Sequence, residues 1–419
     1  MNKASKDGML KQGSLLFVST LVVNLGNYAI NLLLGRWMGP ADFSEVSLLI
    51  TLMLMLSFWA LAFQLTGAKW AAQYHQAGEE GQLAALVHWL RKLAWKAGLT
   101  MAALLMGLSF FWQDFFQTRS VLPFIIFGAG MPVYLLMSTN RGILQGSQQY
   151  GRFALTYQAE MWTRLAVTIL LVWLGFGVNG VAGGITASLL ASLFLSRIRL
   201  QEKGATSFNN QRALRFFLMI LVYECSQILI NNSDTVLVKH YFSPTEAGLY
   251  AALALIGRIV YFGTWTVVTM LFPTVIKLEK EGKPHLKYFV YGLLAVASMG
   301  AAIIGVLYLF PELAIRGLFG EQYLSIAPLL WQYALATALF ASANVFVYYH
   351  LSLDRNAPAW MMIGGGVLQI GLLSFFHASF QQVINIQILL MSGMLLLMVV
   401  YQSTLSKFYS PQLKPSGLQ

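Results

Sequence analysis

Long apolar runs broken by short polar knots dominate the chain. A helix needs roughly 20 apolar residues to cross the hydrocarbon core of a bilayer. About twelve runs of that order can be read along the 419 residues. They fall near 14–37, 44–68, 93–112, 121–144, 153–175, 178–198, 213–238, 247–272, 288–310, 326–350, 358–376 and 382–405. Runs so continuous lack the apolar–polar alternation of a lipid-facing β-strand. The predicted fold class is all-α and integral to a membrane. The basic start "MNKASKDGMLKQG" precedes an apolar run too long for a signal-peptide core, so a retained first helix is expected.

One polar knot occurs twice. "LLLGRWMGPADFSEVSLL" at 32–49 returns as "VLVKHYFSPTEAGLYAAL" at 236–253. A shift of about 204 residues sets Pro40 on Pro244, Asp42 on Glu246, and Arg36 on His240 beside Lys239. Each copy reads as a helix ending in a basic residue, then a proline opening the next helix with an acid in its first turn. The chain therefore divides into an N-terminal six-helix lobe over 1–200, a basic cytoplasmic linker over 201–212, a C-terminal six-helix lobe over 213–406 and a cytoplasmic tail over 407–419. An even number of helices per copy makes both copies enter the membrane from the same side. Two parallel-related bundles around a central cavity are predicted.

Charge refines this picture. Charged residues make up 10% of the chain, against about 25% in soluble domains, which again points to lipid. The net charge of +11 is not a nucleic-acid footprint. Lysine and arginine gather on one set of alternate connections (Lys69, Arg91, Lys92, Lys96, Arg152, Arg197 and others), while the opposite set holds Arg36, Arg119, Lys239 and Arg316. This bias places both termini in the cytoplasm, with anionic lipid heads as partners. "GEEGQLAALVHWLRK" at 78–92 is expected to form a short helix on the membrane surface. The connections on the other side are too short for an enzymatic domain. Neither a Walker-type loop nor a His-Glu-x-x-His run is present, and the single Cys225 excludes an internal disulfide.

Ionisable groups inside spans are costly, so they face a partner or a cavity. Counting helical rise puts Arg164, Glu224 and Arg258 about 16 Å deep, near mid-membrane. Glu160 and Arg164, four residues apart, can pair along their helix, a pairing that does not exclude a role toward a ligand. Arg141 either reaches for the inner surface or serves the ligand. Glu224 and Arg258 either form a buried pair or act separately. Arg36 either anchors the outer interface or binds ligand, and Lys239 stands beside His240, its counterpart in the second copy. Arginines at mid-depth suit a phosphate or pyrophosphate, which guanidinium binds in bidentate fashion. Tyr157, Gln158, Tyr261, Gln332 and Tyr333 offer surfaces for sugar rings. Asp234 and Asn231, three apart on one helical face, present oxygens suited to a small hard cation; Glu224 and Gln369 are candidates to complete the set.

The repeated knot and the twelve spans resemble the polysaccharide transporter branch of the multidrug/oligosaccharidyl-lipid/polysaccharide exporter superfamily, and within it the Wzx-type O-antigen and exopolysaccharide flippases. The resemblance implies a non-enzymatic protein of the bacterial inner membrane. It would carry an undecaprenyl-diphosphate-linked oligosaccharide from the cytoplasmic to the periplasmic leaflet by alternating access. Coupling to transported sodium or protons, no bound cofactor and contact with glycan polymerase or assembly proteins are implied as well. Related lipid II flippases hold the diphosphate with arginines of the first, second and eighth helices and sodium with an acid of the seventh. By position, Arg258 and Asp234 match in kind, whereas Arg36 lies at a helix end and the second span has no arginine. A drug or metabolite antiporter of the same superfamily and, from another class, a membrane glycosyltransferase or polymerase are the competing readings.

Overall fold

A computed structural model describes residues 3–198, 208, 210–353, 355 and 357–409. Every described element is helical. The order is α1 (Lys3–Ala77), α2 (Glu80–Gly107), α3 (Ser109–Phe115), α4 (Leu122–Ala129), α5 (Met131–Gly146), α6 (Tyr150–Trp173), α7 (Gly177–Leu195), α8 (Asn210–Tyr241), α9 (Pro244–Gly257), α10 (Ile259–Lys280), α11 (Leu286–Leu309), α12 (Pro311–Leu318), a 3₁₀ helix (Glu321–Leu329), α13 (Leu330–Leu351), α14 (Ala357–Phe375) and α15 (Phe380–Tyr409).

Each apolar run read from the sequence coincides with helix. Among the described residues, seven helices are long and apolar enough to cross a membrane, or nine if bent pairs are joined. The first of these, Leu16–Ala77, holds two of the predicted runs. Outside the set lie α6 and the pair α9 and α10, the segments that carry Glu160, Arg164 and Arg258. Most of the predicted linker 201–212 and tail 407–419 lies outside the described residues.

The chain forms two compact units. One comprises Met1–Ile228 with Phe242–Gly248, the other Leu229–Tyr241 with Leu249–Gln419. In the first, α1 packs on α5 and α6, α2 on α4 and α5, and α6 on α7. Phe43, Phe63, Leu86, Leu90, Phe124 and Phe127 are fully enclosed there. Gly142 lets α5 lie directly on α1, since a Cβ at this position would collide with the Gln64 carbonyl. In the second unit α13 is central, packing on α10, α11, α14 and α15, with Phe289 edge-on to Phe346 at 4.9 Å.

The repeated knot is two helix starts. α1 breaks at Gly39, whose φ of 75° and ψ of 170° are open only to glycine, and Pro40 begins the next stretch. Asp42 pairs with Arg119 at 2.5 Å, and the Glu45 carboxylate accepts the Arg119 backbone N–H at 3.0 Å. In the second copy Ser243 and Glu246 form a capping box: the Ser243 hydroxyl donates to Glu246 at 2.7 Å and its N–H does so at 3.1 Å. Gly248 packs directly on the Pro40 carbonyl within the first unit.

The expected surface helix at 78–92 is not separate. Residues from Glu80 onward are the opening turns of α2, which continues unbroken to Gly107. Leu83, Leu86, Val87 and Leu90 recur at helical spacing and are buried, so this face is taken up by protein.

Candidate functional site

In the first unit, three charged side chains meet. α5 supplies Arg141, and α6 supplies Glu160 and Arg164, one turn apart on the same face. Arg141 Nη2 lies 2.7 Å from Glu160 Oε2, while Arg164 Nη2 pairs with Glu160 Oε1. One carboxylate thus bridges two guanidinium groups. Arg141 is held on every side. Its Nε donates to the Thr156 hydroxyl at 2.9 Å, and its Nη2 to the Thr156 carbonyl and the Ser192 hydroxyl at 3.0 Å each. Its guanidinium lies 3.7 Å from the Tyr157 ring centre. At 4% exposure Arg141 does not reach the inner surface. The reading in which it snorkels is corrected: α6 and α7 supply partners within reach, so the cation stays inside.

This cluster forms part of the wall of a cavity of about 490 Å³. α1 contributes Ser19, Asn24, Asn27 and Gln64, while Tyr134, Arg141, Tyr157, Glu160 and Arg164 come from α5 and α6. Arg164 donates from Nη1 to Asn27 at 3.3 Å, and among the described residues its buried Nε–H has no acceptor. The Tyr157 hydroxyl donates to Gln64, which donates to Gln145, both at 3.1 Å. Two arginines against one carboxylate leave the wall with a net charge of +1. An anion therefore gains from entering, and a cation does not.

The second unit holds another cluster. Asp234 on α8 is 1% exposed. Its Oδ1 accepts Arg258 Nη2 at 2.9 Å, and its Oδ2 accepts the hydroxyls of Tyr333 at 2.7 Å and Tyr250 at 3.1 Å. Arg258 stands at the junction of α9 and α10, and also donates to Thr235 at 3.0 Å and Asn232 at 3.4 Å. Gln387 donates to the Tyr250 hydroxyl at 3.1 Å. Beside them lies a cavity of about 30 Å³, room for about one water.

The sequence candidates are distributed as follows. Arg141 and Arg164 come together in the large cavity. Asp234, Asn231 and Arg258 line the small one. The carboxylate partner of Arg258 is Asp234, which corrects the alternative of a Glu224–Arg258 pair. Glu224 lies on the part of α8 that belongs to the first unit, and is half-buried. Gln369 spends its amide N–H groups on the Ile230 carbonyl and the Ser233 hydroxyl, both at 3.0 Å. Arg36 is exposed beside the Gly39 break, while Lys239 is buried near the end of α8. Among the described residues no cluster of three or more His, Cys, Asp or Glu is suited to a metal. Tyr333, considered for sugar, is committed to Asp234. Sequence reasoning missed Thr156, Ser192, Tyr250 and Gln387; hydroxyls and amides in spans are too common to stand out.

Residues 75–328 match the family of polysaccharide biosynthesis proteins. The succinoglycan biosynthesis transport protein ExoT of Rhizobium meliloti is 26% identical over 213 residues, 47% of this chain and 41% of that protein. The chain thus matches less than half of this relative's length. An inward-facing multidrug resistance MATE family transporter superposes with a TM-score of 0.79 at 14% identity, covering 94% of this chain and 96% of the other. The lipid II flippase MurJ in an inward closed conformation gives 0.72 at 13% identity, covering 94% and 87%. The chain is a multi-pass helical protein with the fold of these transporters, and it belongs to the polysaccharide biosynthesis protein family.

Proposed function

We propose that the chain moves an undecaprenyl-diphosphate-linked oligosaccharide from the cytoplasmic to the periplasmic leaflet of the bacterial inner membrane by alternating access, with both termini cytoplasmic. The observation that carries this is the arginine excess on the wall of the large cavity. A family devoted to polysaccharide biosynthesis needs carriers for saccharides on anionic lipids, and Arg164 offers a diphosphate its unpartnered Nε–H. A volume near 490 Å³ falls in the range of about 300–1,000 Å³ that takes a ligand of a few rings. Tyr157 and Gln64 add hydrogen-bonding groups for a sugar. Glycan polymerase and assembly proteins are the expected partners after transfer.

The drug-antiporter reading needs an acid that offers charge to a cation. Glu160 is taken by two arginines, so the cavity favours the anionic cargo. Coupling to a cation at Asn231 and Asp234 would require the Arg258 guanidinium to leave Asp234. The test is transfer of a fluorescent lipid-diphosphate saccharide in proteoliposomes. Arg164→Ala should lower transfer at least tenfold with insertion unchanged. Unaltered transfer would remove the cavity from the transport path.

A further inference from the structure

We propose that Glu160 is the resident anion of the large cavity, standing where the cargo's phosphates bind, and that it takes up one proton when they displace it. This rests on the cavity being the cargo site, as proposed above.

The geometry supplies the reasoning. Both Glu160 oxygens are committed, Oε2 to Arg141 and Oε1 to Arg164, so the carboxylate caps the same guanidinium edges that a phosphate would use. Arg141 cannot turn toward a ligand elsewhere, since Thr156, Ser192 and the Tyr157 ring hold it in place. Among the described residues Arg164 has Asn27 as its second partner and carries an unused donor. An incoming diphosphate therefore competes with Glu160 for both cations.

The displaced carboxylate has nowhere better to go. The charged and titratable groups around it are Arg141 and Tyr134 on α5, and Tyr157 and Arg164 on its own helix. α1 presents Asn24, Asn27 and Gln64, and α7 presents Ser192, none of which ionises near neutral pH. Among the described residues no third cation pairs with Glu160. An ionised Glu160 beside a bound diphosphate places like charges side by side, and like charge favours the protonated form. Binding thus breaks the Nη2···Oε contacts of both arginines and forms N–H···O contacts to phosphate. It adds one proton from water to a Glu160 oxygen, whose new O–H donates to a phosphate oxygen. Each cargo anion enters with a proton. The expected consequence is that low pH on the loading side favours loading.

Farnesyl diphosphate serves as the probe. Its binding to the full-length protein in lipid nanodiscs is measured by calorimetry at pH 8 in two buffers of different ionisation enthalpy. The native protein should take up about one proton per ligand more than Glu160→Gln, since protons bound by the ligand itself appear in both. Its affinity should weaken with pH above neutrality more steeply than that of Glu160→Gln, by up to about tenfold per pH unit, while Glu160→Gln binds at least tenfold tighter. If Glu160→Gln does not fold, Glu160→Met takes its place in the same subtraction: a difference near one supports the proposal and near zero overturns it. Binding with equal proton uptake and equal pH dependence in both proteins overturns this inference alone. Absence of binding in both at every pH overturns it together with the cargo site.

Discussion

Replacing Arg141 with methionine separates a locked cation from one that merely lies near the membrane surface. Methionine keeps most of the volume and removes the charge. Breaking a buried ion pair by deleting one partner costs about 3–5 kcal/mol, because the other charge stays behind. Here the remaining groups are partly provided for. Glu160 keeps Arg164, the Thr156 hydroxyl keeps the Phe153 carbonyl at 2.7 Å, and the Ser192 hydroxyl keeps the Thr156 carbonyl at 3.1 Å. The expected loss therefore sits at the low end, about 3 kcal/mol. Truncating both partners strands neither member of this pair, while Arg164 loses Glu160 equally in Glu160→Met and in the double variant. Arg141→Met combined with Glu160→Met should accordingly cost less than the sum of the single changes, by at least about 1.5 kcal/mol of coupling. Tryptophan fluorescence during denaturant unfolding of the purified protein in micelles reads all four corners of this cycle. A single-mutant cost below about 1 kcal/mol, the value for exposed ion pairs, would refute the locked arrangement and return Arg141 to the interface.

The same unfolding assay reads three further changes. Asp234→Leu deprives Arg258, Tyr250 and Tyr333 of one acceptor and should cost about 3–5 kcal/mol, with partial recovery when Arg258→Met is added. Gly39→Ala forces a side chain into backbone angles reserved for glycine and should cost about 1–3 kcal/mol. Arg119→Ala, whose side chain is 70% exposed, should cost less than about 1 kcal/mol despite its 2.5 Å contact with Asp42. Gly142→Leu should yield no monodisperse protein on size exclusion, because α5 can no longer lie on α1 at Gln64.

What could be read in advance was local. Apolar run length gave the long helices but not α12, which lies between two runs; Gly39-Pro40 with Asp42 gave the break and restart of α1, since both follow from a few adjacent residues. Glu160 and Arg164 share a face because they are four apart. Arg141 joins them only because α5, α6 and α7 pack together, and its partners Thr156 and Ser192 lie 15 and 51 residues further along. Asp234 looked like a cation ligand for the same reason that it holds Arg258: its oxygens seek positive charge. Depth arithmetic could not give the direction of Arg258, which depends on the helix break at this residue. Residues 80–92 carried charge enough to suggest a surface helix, yet their buried leucines belong to the opening of α2.

The charges of α6 also bear on how the protein is made. Glu160 and Arg164 sit in the middle of its 24 residues, and each charged residue at a helix centre opposes entry into lipid by about 2.5–3.5 kcal/mol. A nascent chain ending at Trp173 would tend to slip back out of the translocon. The tight turn with Gly175 and Gly177 at positive φ brings α7 alongside almost as soon as it is synthesised. Ser192 and the already inserted Arg141 then receive the polar face of α6. Biogenesis of this half should therefore proceed by release of a helical hairpin, with the lateral exit of α6 delayed until its successor has emerged from the ribosome.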